Sequence, residues 1–341
     1  MSAIQYLFNF GSGKNSIKLD IDIIKAPINK HLDEFDKRFR NSMKSSVPLL
    51  DIITRYIAKR KGKKIRPVFV FFSAGLHGGI TDSTYRAATL IELLHTATLV
   101  HDDVVDDSNK RRSFFSINAL WKNKIAVLVG DFILSKGLFV AMDNNDYELL
   151  KIVTNSVREM SEGELLQIEK ARNLDIEESI YFEIIRKKTA SLIASCCACG
   201  ASSAGADKAI VEKMYKFGET AGIAFQLKDD LFDYEKSMES GKPNGIDIKE
   251  HKMTLPLIYM LRSMKYSDRK KVINIIRNHS DNHEKVSEVI KLVNGSGGIT
   301  YTKQKMLEYQ QSAISMLHEF PNNTANESLE KLVQFIVDRK K

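Results

Sequence analysis

Six prolines occur in the chain, and none of them falls between Pro67 and Pro243. Proline removes an amide donor and clashes with the preceding helical turn, so helices can run unbroken through this whole central stretch. Apolar positions there recur at helical spacing. Ala87, Leu90, Ile91, Leu94 and Thr98 share one face, after a Thr81, Asp82, Ser83 cluster suited to capping. Further helical stretches run from about Ile117 to Met142, Tyr147 to Ala171, Ile180 to Ser203 and Lys208 to Tyr234. The loop from Ser240 through Lys242 and Pro243 to Gly245 interrupts the pattern, and helices resume near Thr254. Clean strand alternation with hairpin turns is missing. The expectation is an all-α fold: residues 21–341 as one bundle of roughly ten or more helices around a central cavity. Residues 1–20 read as a loosely ordered N-terminal segment.

Bulk properties narrow the function. The 341 residues are 43% hydrophobic and 28% charged, which places the chain among soluble globular proteins. The longest strongly apolar stretch, Pro67 to Leu76, is too short to span a bilayer. The N-terminus lacks the basic start and apolar core of a secretory signal, so a cytoplasmic location is expected. A net charge of +8 suits anionic partners. The lysines are scattered and no basic motif is interleaved with aromatics, which argues against nucleic acid. All three cysteines, Cys196, Cys197 and Cys199, fall in one run of small residues. Neighbours on one helix cannot form a normal disulfide, so buried reduced thiols are expected.

The strongest chemical signal is a repeated acidic turn. Asp102, Asp103 and Asp106 form one set, Asp229, Asp230 and Asp233 the other, each closing a long apolar helical run. At positions i, i+1 and i+4, the first and last carboxylates of each set stack on one helix face. At an effective dielectric near 20, two such charges about 5 Å apart repel by about 3 kcal/mol. A cation relieves this, and hard oxygen ligands in open geometry suit Mg²⁺. A single such turn is more often a solvated acidic helix end. Here Val104, Val105, Leu231 and Phe232 make both turns otherwise apolar, and buried carboxylates need partners. Two clusters holding Mg²⁺ would together grip a polyanion such as a diphosphate.

Basic residues give a second signal. Lys63, Lys64 and Arg66 lie upstream, Arg111 and Arg112 follow the first acidic turn, Lys188 precedes Thr189 in an apolar helix, and Lys242 and Lys252 follow the second turn. Guanidinium groups bind phosphate oxygens through paired hydrogen bonds, and lysine supplies a compact charge. Each alone reads as surface charge. Together they describe two anion sites, one reached through Mg²⁺ and one metal-free.

In order and spacing, the chain resembles the trans-isoprenyl diphosphate synthases of the polyprenyl synthetase family. The matching stretches are Gly62 to Pro67, Leu94 to Asp106, Arg111 with Arg112, Lys188 with Thr189, Phe225 to Asp233, Gly241 to Pro243 and Asp247 to Pro256. The resemblance implies the all-α class I isoprenoid synthase fold, a homodimer, three Mg²⁺ ions per active site, and two substrates, isopentenyl diphosphate and an allylic diphosphate. It implies that Asp102, Asp103, Asp106, Asp229, Asp230 and Asp233 hold Mg²⁺ against the allylic diphosphate. Lys63, Arg66, His95 and Arg112 would bind isopentenyl diphosphate. Arg111, Lys188, Lys242 and Lys252 would contact the allylic diphosphate, and Thr189 and Gln226 would present oxygens to the developing allylic cation. Lys188, Thr189 and Gln226 are thus the expected catalytic group. Ser113 departs from the glycine usual after the arginine pair. The C-terminal Arg339, Lys340 and Lys341 fold over the site in relatives of this type, although a solvated tail is the plainer expectation.

Product length depends on what blocks the growing tail. Each isoprene is about one helical turn long, roughly 5.4 Å, and the tail is expected to run from Asp102 back along its own helix. Short-chain relatives place aromatic residues just before the first acidic turn. Ala97 and Thr98 stand there and leave the path open, which points to a product longer than geranylgeranyl; the resemblance implies a hexaprenyl to octaprenyl product of the kind used in quinone side chains. Leu94, Ile91 or Phe139 would form the floor. Release of so apolar a product implies transient membrane contact.

Overall fold

The computed structural model describes residues 20–59, 62–105, 110–111, 114–172, 174, 177–235 and 245–339. Its opening helices are α1 (Ile21–Lys25), α2 (Asn29–Ser42), α3 (Pro48–Ala58) and α4 (Ile65–Leu76), followed by the long α5 (Asp82–Val105). A hairpin pairs β1 (Lys110–Arg111) antiparallel with β2 (Phe114–Phe115). Then come α6 (Ile117–Met142), α7 (Tyr147–Ala171), α8 (Glu178–Ile185), a π-helical turn (Arg186–Ala190), α9 (Ser191–Ser203) and α10 (Lys208–Phe232). The remainder is α11 (Ile246–Lys249), α12 (Leu255–Ser263), α13 (Tyr266–Asn278), α14 (His283–Gly295), α15 (Gly298–Leu317) and α16 (Thr324–Asp338). The all-α expectation holds, with the small hairpin as its only departure among the described residues.

Two helices are buried around nearly their whole circumference. On α4 every residue from Pro67 to Ala74 is buried, and on α9 every residue from Ser191 to Ala201. This is why their sequences are apolar or small on all sides rather than along one stripe. Phe69, Phe71 and Phe72 are each at most 1% exposed, and burying one such ring contributes about 1.5–3 kcal/mol. The three cysteines are reduced and fully buried in α9, and burial pushes Cys197 up to about 12. Around this centre α5 packs on α4, α6 and α9, while α10 packs on α9, α15 and the π turn.

Two expected helices differ in detail. The stretch read as one helix from Ile180 to Ser203 is broken by the π turn at 186–190. Its cause is visible on either side. A methyl group at Gly163 on α7 would meet the Lys188 amide nitrogen at 2.8 Å, and one at Gly222 on α10 would meet the Ala190 Cα at 2.6 Å. The wider turn is thus pressed between two helices that come close only because both present glycine. The second case is α6, where Lys122 interrupts the helix at φ 70° and ψ 161°. Of the expected loose N-terminal segment, residues 1–20, all but Asp20 lie outside the described residues.

Candidate active site

Both acidic turns sit at the carboxyl ends of their helices, Asp102 and Asp103 on α5 and Asp229 and Asp230 on α10. The helix dipole places roughly half a negative charge at that end, where basic residues are normally favoured. Neither last turn carries one. The repulsion read from sequence is therefore deepened by the backbone, and both ends call for cations.

In the second acidic turn two of the three carboxylates are held by the protein itself. Asp230 and Asp233 are 3% and 5% exposed, and both are committed to protein donors. Asp230 accepts from the Tyr181 phenol at 2.6 Å and from Gln226 Nε2 at 2.8 Å, with a further bond from the Leu255 amide at the start of α12. Asp233 accepts from the Ile246 and Asp247 amides at 2.8 and 3.1 Å, and so caps α11. These bonds satisfy amides that a helix start leaves without partners. Asp229 is the least buried of the three, its side chain 40% exposed, and it pairs with the guanidinium of Arg339 just beyond α16. Among the described residues no three acidic or imidazole groups converge as a ready cage. Burial raises Asp230 to about 6, and burial together with Asp230 and Asp233 raises Asp247 to about 7.

At the first turn Asp102 is half-buried and Asp103 is 2% exposed, with the Asp103 carbonyl held by Asn118 Nδ2 at 3.0 Å. Asp106, Arg112, Lys242, Lys340 and Lys341 lie outside the described residues, and of Arg111 only the backbone is described.

Arg339, expected to be solvated with the rest of the tail, is instead docked. Arg339 lies 3.9 Å from the ring centre of Phe225 and 5.5 Å from that of Phe232, and its side chain is only 14% exposed. A guanidinium already seated on Asp229 is a direct sign that this carboxylate takes a cation, and its oxygen donors fit a hard divalent ion. One turn earlier on α16, the Phe335 ring lies 5.8 Å from Lys63 Nζ. Phe335 and Arg339 thus join the start of α4 to the end of α10 across one helical turn, about 6 Å of rise. Asp229 and Lys63 therefore lie on either side of one turn of α16.

In the basic site, Arg66 forks onto Glu92 at 3.1 and 3.3 Å, one turn before His95 on α5. Lys64 takes the left-handed conformation at the cap of α4 and bonds Asp36 at 2.6 Å. Lys63 remains exposed beside it. Lys188 pairs with Glu164 and reaches Gln167 at 3.4 Å. Thr189, beside Lys188 in the chain, donates to Gln226 Oε1 at 2.8 Å. Lys252 is turned onto Glu250, beside the left-handed His251. Sequence reasoning missed Glu92, Glu164, Gln167 and Tyr181. Glu164 and Gln167 carried a faint signal, an i, i+3 pair on one helix, while nothing in the sequence joined Tyr181 to Asp230.

Ala97 is 1% exposed and packs into the α5–α6 seam with Leu93, Val100, Val129 and Ile133. Thr98 beside it is half-buried and donates to the His95 carbonyl at 2.9 Å. Leu94 and Ile91 lie in the main core. Phe139, considered as a floor, is 58% exposed.

The fold and this pairing of acidic helix ends with lysine and arginine define an all-α prenyltransferase. A family model described as polyprenyl synthetase matches residues 47–293. Heptaprenyl diphosphate synthase component 2 of Bacillus subtilis is 33% identical over 316 residues, covering 92% of this chain and 89% of that protein. A short chain isoprenyl diphosphate synthase of Methanothermobacter thermautotrophicus is 32% identical over 318 residues, covering 92% and 97%. The crystal structure of a polyprenyl synthase from Caulobacter crescentus, complexed with calcium and isoprenyl diphosphate, superposes with a TM-score of 0.87 at 32% identity, covering 94% and 98%. The chain belongs to the polyprenyl synthetase family.

Proposed function

We propose that the enzyme joins isopentenyl diphosphate head to tail with an allylic diphosphate, making an all-trans polyprenyl diphosphate of hexaprenyl to octaprenyl length. The observation that carries this reading is the adjacency of Asp229 to Lys63 through one turn of α16. A metal-linked diphosphate and a second, metal-free diphosphate would then lie side by side, which a condensation needs and a cyclisation does not.

Asp102, Asp103, Asp106 and Asp229 are the residues that would hold Mg²⁺, three ions by the pattern of the family, with Asp230 and Asp233 supporting them. When bound, the metal stabilises charge on the departing diphosphate. Lys188, Lys242, Lys252 and Arg111 share that task through charge-assisted bonds. Lys63, Arg66, His95 and Arg112 orient isopentenyl diphosphate. Thr189 and Gln226 turn oxygens toward the allylic carbon as it becomes cationic. The buried helices keep water away from it. Product length rests on Ala97 and Thr98, since near-equal identity to a heptaprenyl and to a short chain enzyme leaves it open.

Residues 21–341 would work as one domain in the cytoplasm, in keeping with the reduced cysteines. Val127 and Leu128 on α6 and Leu165 and Ile168 on α7 are all at least 40% exposed. We assign their cover to a second copy, forming a homodimer, and product release to brief membrane contact. The likeness to a component of a two-part enzyme makes a different subunit the competing occupant. The test is incubation of the purified chain with Mg²⁺, farnesyl diphosphate and labelled isopentenyl diphosphate, followed by chromatography of the products. Long polyprenyl products from the chain alone are expected. No label incorporated at any enzyme concentration would overturn the reading, and activity only with an added subunit would overturn the homodimer.

A further inference from the structure

Thr189, Gln226, Asp230 and Tyr181 form one continuous chain of hydrogen bonds. Thr189 donates to Gln226 Oε1, Gln226 Nε2 donates to Asp230 Oδ1, and the Tyr181 phenol donates to Asp230 Oδ2, at 2.8, 2.8 and 2.6 Å. Each direction is forced. A carboxylate only accepts, so it must receive the amide NH₂ of Gln226. That leaves the Gln226 carbonyl oxygen facing Thr189, which must then spend its only proton there. The Thr189 oxygen is left with lone pairs alone for whatever lies on its other side. Next to a carbon gaining positive charge, this polarity is the favourable one.

The π turn makes the chain possible. Tyr181 and Thr189 are eight residues apart, a spacing that on a regular α-helix puts them about 80° out of line. Four α steps of about 100° followed by four wider π steps of roughly 80° bring Thr189 back to within about 10° of Tyr181. Both can then reach one face of α10, where Gln226 and Asp230 lie one turn apart. Tyr181 is itself 3% exposed, so its hydroxyl has no water to turn to.

We propose that Tyr181 is a positioning residue for the prenyl transfer: by fixing the Asp230 carboxylate it fixes the Gln226 amide, and through it the direction in which the Thr189 hydroxyl faces the reacting carbon. The proposal rests on the condensation reading above, yet it fails separately, because that reading is decided by the unaltered chain and this one by ratios between variants.

Tyr181→Phe keeps the ring and removes only the hydroxyl. The expected result is a fall in kcat of about tenfold, with KM for both diphosphates changed less than twofold. The same substitution placed on Gln226→Met should change kcat less than twofold, because the relay is already cut. Independent, multiplying losses would overturn the proposal, as would a rise in KM with kcat unchanged. Asp230→Asn gives a second route should Tyr181→Phe fold poorly. Its amide keeps the Tyr181 bond but reverses Gln226, and kcat should fall while the Mg²⁺ concentration for half-maximal rate stays within twofold. A large rise in that concentration would make Asp230 a metal ligand first and overturn the positioning role.

Discussion

The ends of α5 and α10 carry one pattern, two adjacent aspartates with a third four residues from the first, and the protein uses the two copies differently. On α10 the carboxylates are built into the frame. Asp233 caps α11, Asp230 holds Tyr181, Gln226 and the first amide of α12, and Asp229 alone is offered outward, to Arg339. On α5, Asp102 stays half-buried at a helix end that opens into the hairpin β1–β2. Two helices can share one charge spacing and still divide the work, because the next segment of chain decides which carboxylates are drawn into the frame. After α10 two short helices begin, and their unpaired amides claim two of three carboxylates.

The largest effect expected from this contrast is at Asp102. Asp102→Asn should lower kcat by a factor on the order of 10³ while leaving the melting temperature nearly unchanged, because the residue serves charge stabilisation of the leaving group rather than folding. Asp233→Ala should do the reverse in emphasis, lowering stability by about 0.5–2 kcal/mol by taking the acceptor from the first two amides of α11. Paired steady-state kinetics and thermal denaturation check both. If Asp233→Ala melts like the parent, the division between the two turns is wrong.

A second difference is electrostatic. Burial raises the Asp230 carboxyl to about 6 and Asp247 to about 7, so in the metal-free protein both bind protons more tightly than in the unfolded chain. A raised folded pKa in an acid favours folding below it. Stability from these groups is therefore present near pH 4 and lost as pH rises through about 6 to 7. The metal-free melting temperature should fall between pH 5 and pH 8. Asp247→Asn should flatten that slope and stabilise the metal-free protein at pH 8 by about 1–3 kcal/mol. Melting curves across pH for both chains decide it, and parallel curves would remove Asp247 from the account.

Much of this division was out of reach of the sequence, for identifiable reasons. Long proline-free runs with helical apolar spacing were enough for the all-α fold and for most helix limits. The aspartate, lysine and arginine positions were legible because charge on an apolar helix is conspicuous. The π turn was not, because its cause lies at Gly163 and Gly222, far away in the chain. Nor was the bond between Tyr181 and Asp230, since no short spacing links them. Ala97 and Thr98 looked equivalent as neighbours, but the fold buries Ala97 in the α5–α6 seam and leaves Thr98 half-buried. Thr98→Phe should thus shorten the product with little loss of stability. Ala97→Phe should shorten it at an overpacking cost of about 1–3 kcal/mol. Product chromatography with melting curves separates them, and unchanged length in both would refute a tail path along α5.

The smallest effect expected is at Arg339, and it addresses why Asp229, of the three aspartates in its turn, is the one that faces a cation. A guanidinium is a monovalent substitute: it lowers the repulsion at the end of α10 when no metal is present, but it must leave, or swing aside, before a divalent ion can use the same oxygens. Burial pushes the Arg339 guanidinium down from its usual value, but only lowers a pKa that starts far above neutrality, so the group stays charged at any working pH. Competition between Arg339 and metal is then set by charge and by stacking on Phe225 and Phe232, not by pH. Arg339→Ala should lower the Mg²⁺ concentration for half-maximal rate by about two- to fivefold, less than about 1 kcal/mol, consistent with a partly screened pair. Arg339→Lys should keep much of the competition without the ring stacking and fall between the two. Titration of initial rates with Mg²⁺ checks this. A higher Mg²⁺ requirement in Arg339→Ala would mean that the guanidinium assists the loaded site rather than holding its place, and the second turn would then be as dependent on outside cations as the first.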